Sequence, residues 1–400
     1  TLANGLRLLK VDVAEAAEVS IAPALPVGWQ HDPKGRTGCA EVMRWLLTVA
    51  QKDVPESQRL KVAVRPRMTL LWHSGPRRDA VDRLAFVEKV LAGRIDVTPD
   101  DLAVALGRAR LESDDHSWLF PGSVIRQKAW REVWRGQPGG RQSLGIASEI
   151  ASLDAVALQN RLRQHYGCTE AALVVIGNPA AKEWQAFRTK LEKLLRTAGA
   201  PPLVIHDTAP TLEAEAPHDR IDGPFVTAAW HTLSPTAADY LPFVVGMLAL
   251  RTEASREFGG YRGMEWRALF PFVSFEYWKD DSLVRVNRRG LNGSTVADTR
   301  AEIEQFLRRI RRAGLRRGAL DAARIEVANT VAVPPYASAA GPYLSVRARY
   351  VATALCLEWP MDAAERVGKV ELAEVNRVLR EHLAPDRVHW FALRPAKAGV

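Results

Sequence analysis

Polar and apolar residues alternate along the opening of the chain. The stretches TLANGLRLLKVDV and VSIAPALPVGW carry this two-residue period, which is typical of half-buried strands. The first stretch contains an NG dipeptide, which favours a tight turn. The pattern therefore predicts two strands in a hairpin-like opening.

Further along the first half, apolar residues recur at three- and four-residue spacing, which predicts amphipathic helices. The stretches concerned are GCAEVMRWLLTVA, RDAVDRLAFVEKVLAG, TPDDLAVALGRARLE and SLDAVALQNRLRQHY. Thr37, at the end of the turn-rich HDPKGRTG, is the predicted N-cap of the first of these helices. After them, EAALVVIGNP predicts a buried strand and AKEWQAFRTKLEKLLRTAG a helix.

The second half repeats this pattern of predicted strands and helices. FVTAAWHTL, FVSFEYW, LVRVNRRG and RVHWFAL predict strands, while ADYLPFVVGMLAL, VADTRAEIEQFLRRIRRAG, SVRARYVATAL and ELAEVNRVLREHL predict helices. Both halves close on an amphipathic helix, a short turn and an apolar strand, which indicates a duplicated α+β domain. Residues 201–222, rich in proline, acidic and small residues, predict a linker between a domain at 1–200 and a domain at 223–400.

Composition places the chain among ordinary globular proteins. Its 400 residues suit two domains, with 47% hydrophobic and 25% charged residues. No apolar run is long enough to span a bilayer, so a soluble protein of the bacterial periplasm or cytoplasm is expected. The three cysteines are an odd number, which argues against a disulfide framework, and the start at Thr1 suggests a processed N-terminus.

The net charge of +9 mildly favours acidic partners. The densest basic stretch is FLRRIRRAGLRRGAL, where arginines in the last turn of a helix that ends at Gly314 complement the helix dipole. A nucleic-acid site would have aromatic residues or a known module among these charges. The stretch is therefore predicted to be a solvated helix face, and no nucleic-acid partner is expected.

The helix after Thr37 carries the most informative polar residues. The face of this helix opposite the apolar stripe carries Glu41, Arg44 and Trp45. In an inverted zinc motif, H-x-x-E-H, these positions hold two histidine ligands and a glutamate that activates water. A guanidinium and an indole have no lone pair for a metal, so no metal and no catalytic residue are predicted here.

Two interpretations of these side chains stay open at this point. In one they form a solvated helix face, with Glu41 and Arg44 paired at a spacing of three residues. In the other Arg44 takes the place of the metal and holds a carboxylate or backbone carbonyls through its five N–H donors. The sequence favours the solvated face.

Three stretches of the first half, by their residues, order and spacing, resemble the insulinase and mitochondrial-processing-peptidase family. They are LANGLRLL, VGWQHDPKGRTGCAEVMRWLL and LDAVALQNRLRQHYGCTEAALVVIGNP. The second half is similar to that family's second domain, at IEQFLRRIRRAGLRRGALDAARIEVA and VGKVELAEVNRVLREHLAPDRVHWFALRP. The resemblance implies two homologous α+β domains, each a mostly antiparallel sheet covered on one face by helices, that form half of a clamshell.

The resemblance also implies a partner, since the family closes its chamber with four such domains. We expect a catalytically inactive subunit of a heterodimeric zinc metallopeptidase, not active alone. Its paralogous partner would carry the intact H-x-x-E-H motif and the zinc, and the substrate would be a peptide, with acidic peptides favoured by the basic surplus. The alternative is a purely structural or peptide-binding homologue without a peptidase partner, comparable to the core proteins of respiratory complexes.

The family's third zinc ligand is a glutamate on a later helix, and Glu112 in GRARLESDDHSW is the nearest match. A lone carboxylate at such a position is more often solvated, so the sequence does not favour Glu112 as a ligand.

In the second half, the family resemblance points to an arginine and a tyrosine that hold the substrate backbone. Arg267 matches the arginine, but Ser274 stands seven residues later, and Tyr277 fits only with a longer loop. A competing alignment likens FGGYRGM, with Gly259, Gly260 and Gly263, to a substrate-handling glycine-rich loop. The predicted substrate-binding residues are Arg267, Tyr277, Gly259, Gly260 and Gly263.

Overall fold

The computed structural model describes residues 1–13, 16–119, 121–135, 137–141, 143–199, 211–219, 221–234, 237–259, 273–275, 283–331, 342–358 and 362–396. The chain divides into two compact units. The first unit comprises Thr1–Asp114, Arg141–Val204 and Thr330–Met361, and the second Asp115–Gly140, Ile205–Asn329 and Asp362–Val400. These units differ from the contiguous domains expected at 1–200 and 223–400, because each contains a segment from the other half of the chain.

The first unit is built on a five-stranded sheet of order β1-β5-β2-β4-β3. Its strands are β1 (Arg7–Val11), β2 (Glu18–Leu25), β3 (Lys61–Val64), β4 (Thr69–Pro76) and β5 (Ala172–Ile176). Only the β1–β5 pair is parallel. The hairpin predicted from the opening is therefore wrong, since β5 lies between β1 and β2. All five residues of β5 are buried, and an interior position satisfies both of its faces.

Helices follow the predicted spacing in this unit. They are α1 (Cys39–Val49), α2 (Ala80–Leu91), α3 (Pro99–Leu119, which runs past the end of the unit), α5 (Ala147–Ala151), α6 (Ala155–His165) and α7 (Ala181–Glu192), and α4 (Pro121–Val133) belongs to the second unit. Their apolar stripes bury one face of the sheet. Met43 and Leu47 of α1 meet Leu71 and Leu173 of the strands in that core.

A helix from the second half of the chain covers the other face of this sheet. In sequence, α8 (Tyr240–Phe258), α9 (Val296–Ala313) and α10 (Arg317–Val331) precede it, and the helix itself is α11 (Pro342–Cys356). Leu344 and Val351 of α11 pack on Ala22, Leu70 and Val174 of the strands. The sheet is thus enclosed on both faces, where the sequence predicts helices on one.

The C-terminus of α11 is held by Arg7 of β1. The Nη1 atom of Arg7 donates to the carbonyl of Leu355 at 2.8 Å and to that of Cys356 at 3.3 Å. Its Nη2 atom donates to Glu358 at 2.9 Å. A cation at this end of a helix satisfies free carbonyls and complements the dipole.

The second unit repeats the pattern with a sheet of order β6-β10-β7-β9-β8. Its strands are β6 (Glu213–His218), β7 (Phe225–His231), β8 (Val273–Phe275), β9 (Leu283–Arg289) and β10 (His389–Pro395). β6 falls inside the predicted linker and pairs in parallel with β10. Its sequence EAEAPH mimics a linker because it is an edge strand with alternate residues exposed, where acids and proline are tolerated.

The helices of the second unit include α12 (Ala363–Val367) and α13 (Leu372–His382) besides α4, α8, α9 and α10. α9 opens on a capping box between Thr295 and Asp298 and ends at Gly314, whose φ is 75°. The predicted helix end at Gly314 is confirmed. No helix among the described residues is long and apolar enough to cross a membrane.

Replacement of Arg7 by methionine should loosen α11, because its last carbonyls lose their charged donors. We expect the urea midpoint to fall by an amount equivalent to about 1–2 kcal/mol of unfolding free energy. The matched control is Lys10→Met on the same strand, whose side chain forms an ion pair with the exposed Asp12. An equal midpoint for the two variants would contradict the anchoring role of Arg7.

Candidate functional site

Helix α1 begins at a buried carboxylate. Asp32, which has no exposed surface, accepts hydrogen bonds from the backbone N–H groups of Gly38 and Ala40, both at 2.9 Å. Gly38 has φ 87°, a conformation that favours glycine. Thr37 is therefore not the N-cap that the sequence predicts. Its N–H and hydroxyl both donate to Glu149 at 2.7 Å.

The same carboxylate ties α1 to α6. Arg161 of α6 donates to Asp32 at 3.2 Å, and its side chain is only 7% exposed. Burial raises the pKa of Asp32 to about 7, and Arg161 and the two backbone donors oppose that shift. Two interactions of Asp32 therefore fix the start of α1, namely its hydrogen bonds to the backbone of α1 and its ion pair with Arg161 of α6. Neither involves Glu41, Arg44 or Trp45.

His31 lies beside this cap. The backbone N–H of Gly28 donates to its Nδ1 atom at 3.0 Å, so Nδ1 carries no proton. Burial, together with the nearby charges of Arg161 and Arg67, lowers the pKa of His31 to about 3. The ring is therefore neutral wherever the protein is folded near neutral pH.

The three positions of the degenerate zinc motif do not form a solvated face. Glu41 is 4% exposed, and the side chain of Arg44 is 18% exposed. Trp45 is partly buried against the core of the first unit. The predicted pairing of Glu41 and Arg44 is confirmed, but the predicted solvated face is wrong, because side chains of α3 reach these residues.

Arg44 lies between two carboxylates. Its Nε atom donates to Glu41 Oε1 at 2.5 Å, and its Nη2 atom forms ion pairs with both Glu41 and Glu112. Glu112, on α3, is the residue that matches the third zinc ligand of the resembled family. The structure thus brings Glu41 and Arg44 together with Glu112, which lies 68 residues after Arg44 in the sequence. This arrangement matches the second interpretation in one respect, since Arg44 holds carboxylates through its N–H donors.

Trp45 completes the group with a second arginine. The Cζ atom of Arg44 lies 4.3 Å from the centroid of the Trp45 ring, and that of Arg108 lies 5.8 Å from it. Arg108 and Glu112 are four residues apart and so share one face of α3. The name Arg44 cluster is used below for Glu41, Arg44, Trp45, Arg108 and Glu112.

The charges of the Arg44 cluster balance, with two carboxylates and two guanidiniums. Burial raises the pKa of Glu41 to about 7, while the charge of Arg44 opposes the rise. Burial also disfavours the charge on Arg44, but Glu41 and Glu112 outweigh it and raise its pKa above the ordinary value. The guanidinium therefore stays charged at any pH at which the protein is folded.

The Arg44 cluster does not fit a zinc ion. Zinc in peptidases takes three protein ligands from histidine, cysteine and carboxylate side chains, and this cluster has only two carboxylates. The guanidinium of Arg44 already contacts both of them. Glu41, occupied by Arg44, is also not available as a base for water. No step of metal-assisted hydrolysis can be assigned to these residues.

Another group of potential metal ligands lies in the second unit. Among the described residues, only Asp239, Glu381 and His382 place three ligand atoms within 4.8 Å of one another. Arg377 donates to Asp239 at 2.7 Å and to Glu381 at 2.9 Å. Arg377 thus supplies the positive charge opposite the two carboxylates, and these residues form a surface ion-pair network.

The predicted second-half residues are only partly covered by the structure. Gly259 ends α8 with φ −75°, which any residue adopts, so its backbone does not require glycine. Gly260, Gly263, Arg267 and Tyr277 lie outside the described residues. Their substrate-binding role stays a prediction.

The open edge of β3 is a feature that the sequence analysis missed. Arg65 N–H donates to the Met68 carbonyl at 2.8 Å, which sets the alternation of the antiparallel β3–β4 ladder. By that alternation Ala63 bonds to β4, while the N–H and C=O groups of Val62 and Val64 point away from it. Within the described part of the chain β3 is an edge strand, and α1 packs against it. The signal in the sequence was the alternating KVAVR.

The comparisons with known proteins fall into two groups. No protein-family model and no curated protein matches the chain in sequence. Solved structures do match. A protease from Helicobacter pylori has a TM-score of 0.77 and 12% identity, over 99% of this chain and 98% of that one. A peptidase M16 inactive domain from Pseudomonas fluorescens has a TM-score of 0.75 and 15% identity, over 100% of this chain and 98% of that one.

The periplasmic protease PqqL from Escherichia coli also matches, with a TM-score of 0.69 and 13% identity. The match covers 98% of this chain but 47% of PqqL, so this chain spans about half of that protease. At such identities the likeness establishes the fold. The chain has the α+β fold of the M16-like peptidases, as its resemblance to the insulinase and processing-peptidase family implies.

His31 should make the protein sensitive to acid. Its pKa is about 3 when folded and 6.5 when unfolded, so the unfolded state binds more protons between these values. The contribution of neutral His31 to stability is then complete above pH 6.5 and is lost as the pH falls, by about 2 kcal/mol at pH 5. Asp32 and Glu41, whose pKa values burial raises to about 7, change stability in the opposite direction, so the comparison with a His31 variant isolates this contribution. His31→Gln keeps an acceptor for Gly28 N–H but does not titrate. We expect its unfolding free energy to fall less from pH 7 to pH 5, and equal pH profiles would contradict this assignment.

The purified chain should contain no stoichiometric zinc, because the Arg44 cluster offers two carboxylates that already hold a guanidinium. Metal analysis by mass spectrometry, on protein expressed with added zinc and then dialysed, measures this. A stoichiometric zinc that disappears in Glu41→Gln would show that the cluster binds metal after all.

Proposed function

We propose that this chain is a catalytically inactive subunit of a heterodimeric zinc metallopeptidase. Its partner would be a paralogous chain with an intact H-x-x-E-H motif that carries the zinc. This chain would contribute part of the chamber wall and a peptide-binding surface. The observation that carries the proposal is the guanidinium of Arg44 between Glu41 and Glu112, within a peptidase fold.

The structural neighbours support the division of labour. The inactive domain from Pseudomonas fluorescens shares this fold over its whole length, so the fold also occurs without activity. PqqL is about twice as long as this chain, which matches the combined size of this chain and one paralogous partner. PqqL is also periplasmic, so the periplasm is the compartment in which to seek the partner first.

The open edge of β3 supports peptide binding. Val62 and Val64 offer backbone donors and acceptors to an extended peptide, which would add a strand to the sheet. Lys61 and Arg65 are exposed at the two ends of β3. Their charges favour an acidic peptide, in keeping with the net charge of +9.

The second half would supply further contacts. We retain Arg267 and Tyr277 as proposed donors to the peptide backbone, and Gly259, Gly260 and Gly263 as the proposed loop that approaches it. A guanidinium suits peptide carbonyls, and loss of one such donor lowers turnover by about 10²-fold where it also holds the developing oxyanion.

The proposal is tested by reconstitution with a paralogue of similar length that carries the intact motif, such as the product of an adjacent gene. We expect peptide cleavage only when both chains are mixed, with a complex on gel filtration. Full activity of the partner alone would overturn the shared-site proposal. Peptide binding by this chain without any complex would favour the alternative, a binding homologue that has no peptidase partner.

Within the active mixture, Val62→Pro removes one outward N–H without touching the ladder to β4. We expect kcat/KM to fall about 10-fold, the effect of one lost hydrogen bond. Val62→Ala is the matched control, because it loses side-chain packing but keeps the N–H. Equal values for the two variants would remove β3 from the peptide site, and Arg267→Ala tests the second-half contact in the same assay.

A further inference from the structure

The open edge of β3 has a positively charged side, on the face of the first sheet that α11 covers. Given the proposed binding of a peptide at β3, we infer that Arg349 of α11, held on the ring of Trp72, selects acidic side chains at every second position of that peptide. The substrate class of the site is then peptides in which acidic residues alternate with uncharged ones.

The register of the β3–β4 ladder determines which side chains of β3 lie on the α11 face. Lys61 pairs with Trp72 and Ala63 with Leu70, and Leu70 packs in the core that α11 shares with the sheet. Residues directly opposite each other in an antiparallel pair point to the same face, and the alternation continues to Arg65. A basic, a small and a basic side chain therefore follow one another along this face of the open edge.

Arg349 brings a third cation to the same face. Its Cζ atom lies 4.8 Å from the centroid of the Trp72 ring. Its Nε atom donates to the carbonyl of Ser345, in the preceding turn of α11, at 3.4 Å. A guanidinium held over an indole keeps its N–H edge for hydrogen bonds, and the fork of that edge matches a carboxylate. Trp72 and Ser345 thus preorganise Arg349 as a donor to an acidic side chain.

No acid of the chain balances these cations, as far as the described residues extend. Lys61, Arg65 and Arg349 have no ion pair there, and Glu18 of the neighbouring β2 accepts from Ser74 Oγ at 3.0 Å instead. Burial and the charge of Arg65 lower the pKa of Arg349, whereas a carboxylate partner would raise it. Like charges held close together without a counter-ion favour the binding of an anionic group.

A peptide strand added to β3 would meet this face at alternate positions. Its backbone would bond to the outward groups of Val62 and Val64, so that one of its side chains lies opposite Ala63. That side chain, and the side chains two residues before and after it, would project toward the α11 face. The residues between them would project toward the side of Val62, which packs on the core under α1. Acidic residues at the three α11-facing positions would therefore meet the three cations.

The backbone of β3 favours a polypeptide over another polyanion. A strand edge offers alternating N–H and C=O groups, which a second peptide backbone satisfies in register. Nucleic acids and lipid headgroups have no such ladder and would use the cations alone. A polyanion would consequently bind without regard to the spacing of its charges, which gives the test its design.

The first measurement compares two peptides of equal composition on the full wild-type chain. The alternating peptide is TETETET and the block peptide TTEEETT, each with the same neutral dye, and fluorescence anisotropy at 0.15 M salt gives each Kd. We expect the alternating peptide to bind about 10-fold more tightly, because only its three carboxylates lie on one face of an extended strand. Equal Kd values would overturn the spacing and indicate a surface that attracts any polyanion.

The second measurement assigns the selectivity to Arg349. We expect Arg349→Gln to raise the Kd of TETETET about 10-fold, the effect of one lost charge-assisted hydrogen bond. Arg347→Gln is the matched control, since it lies two residues earlier on α11 and points about 200° away around the helix. An equal Kd for the wild type and the folded Arg349→Gln variant would overturn the role of Arg349.

The peptide TETQTET makes the same test from the side of the ligand. It should bind the wild type about 10-fold more weakly than TETETET, but the two peptides should bind Arg349→Gln alike, which is the signature of a direct contact. Should Arg349→Gln not fold, Arg349→Lys replaces it in this cycle, because it keeps the charge but not the fork. Additive effects of the two changes would contradict a contact between Arg349 and the middle acid.

The outcomes distinguish this selectivity from the proposed function. Equal binding of both peptides removes the selectivity and leaves peptide binding at β3 in place. Absence of binding by either peptide removes β3 from the peptide site, and the selectivity with it. Selective binding that depends on Arg349, without cleavage in any mixture with a paralogue, would refute the peptidase role while the selectivity stands.

Discussion

The hydrogen bonds from Gly38 and Ala40 to the carboxylate of Asp32 determine where helix α1 lies. They fix the first turn against the loop before it, and Arg161 fastens the same carboxylate to α6. Because α1 packs on β3 and faces α3, its position sets which residues can meet across these elements. A shift of the first turn by one residue would rotate the helix by about 100° and carry Glu41 and Arg44 away from Glu112.

Given that position, the chemistry of the site follows from the type of cation present. A metal ion exchanges water, accepts substrate oxygens and lowers the pKa of what it binds. A guanidinium stays charged, donates along fixed directions and cannot accept electron pairs. Arg44 therefore links α1 and α3 as a cation between Glu41 and Glu112, but it cannot act as a Lewis acid.

The sequence predicted most elements, because periodicity reflects burial. α1, α2, α3, α6 and the buried strand β5 follow the apolar spacing, and the resemblance to the peptidase family led to Glu41, Arg44 and Glu112. What it missed depends on distant partners. Thr37 has the chemistry of an N-cap, but Asp32 reaches the first turn instead. The strand β6 looks like a linker because its pairing partner β10 lies about 170 residues later. Glu41 is polar but buried, since Arg44 of the same helix supplies its counter-charge and Glu112 of α3 reaches the same guanidinium.

The packing of α11, a helix from the second half of the chain, in the first unit has a consequence for folding during synthesis. The first sheet receives the cover of its second face from residues 342–356, long after its last strand has left the ribosome. Until then the apolar side chains of Ala22, Leu70 and Val174 lack their packing partners. Contacts so distant in sequence form slowly, and exposed apolar sheet surface favours association between nascent chains. The first unit is therefore completed only after α11 has been synthesised, and a chain stopped before α11 would emerge with this face uncovered.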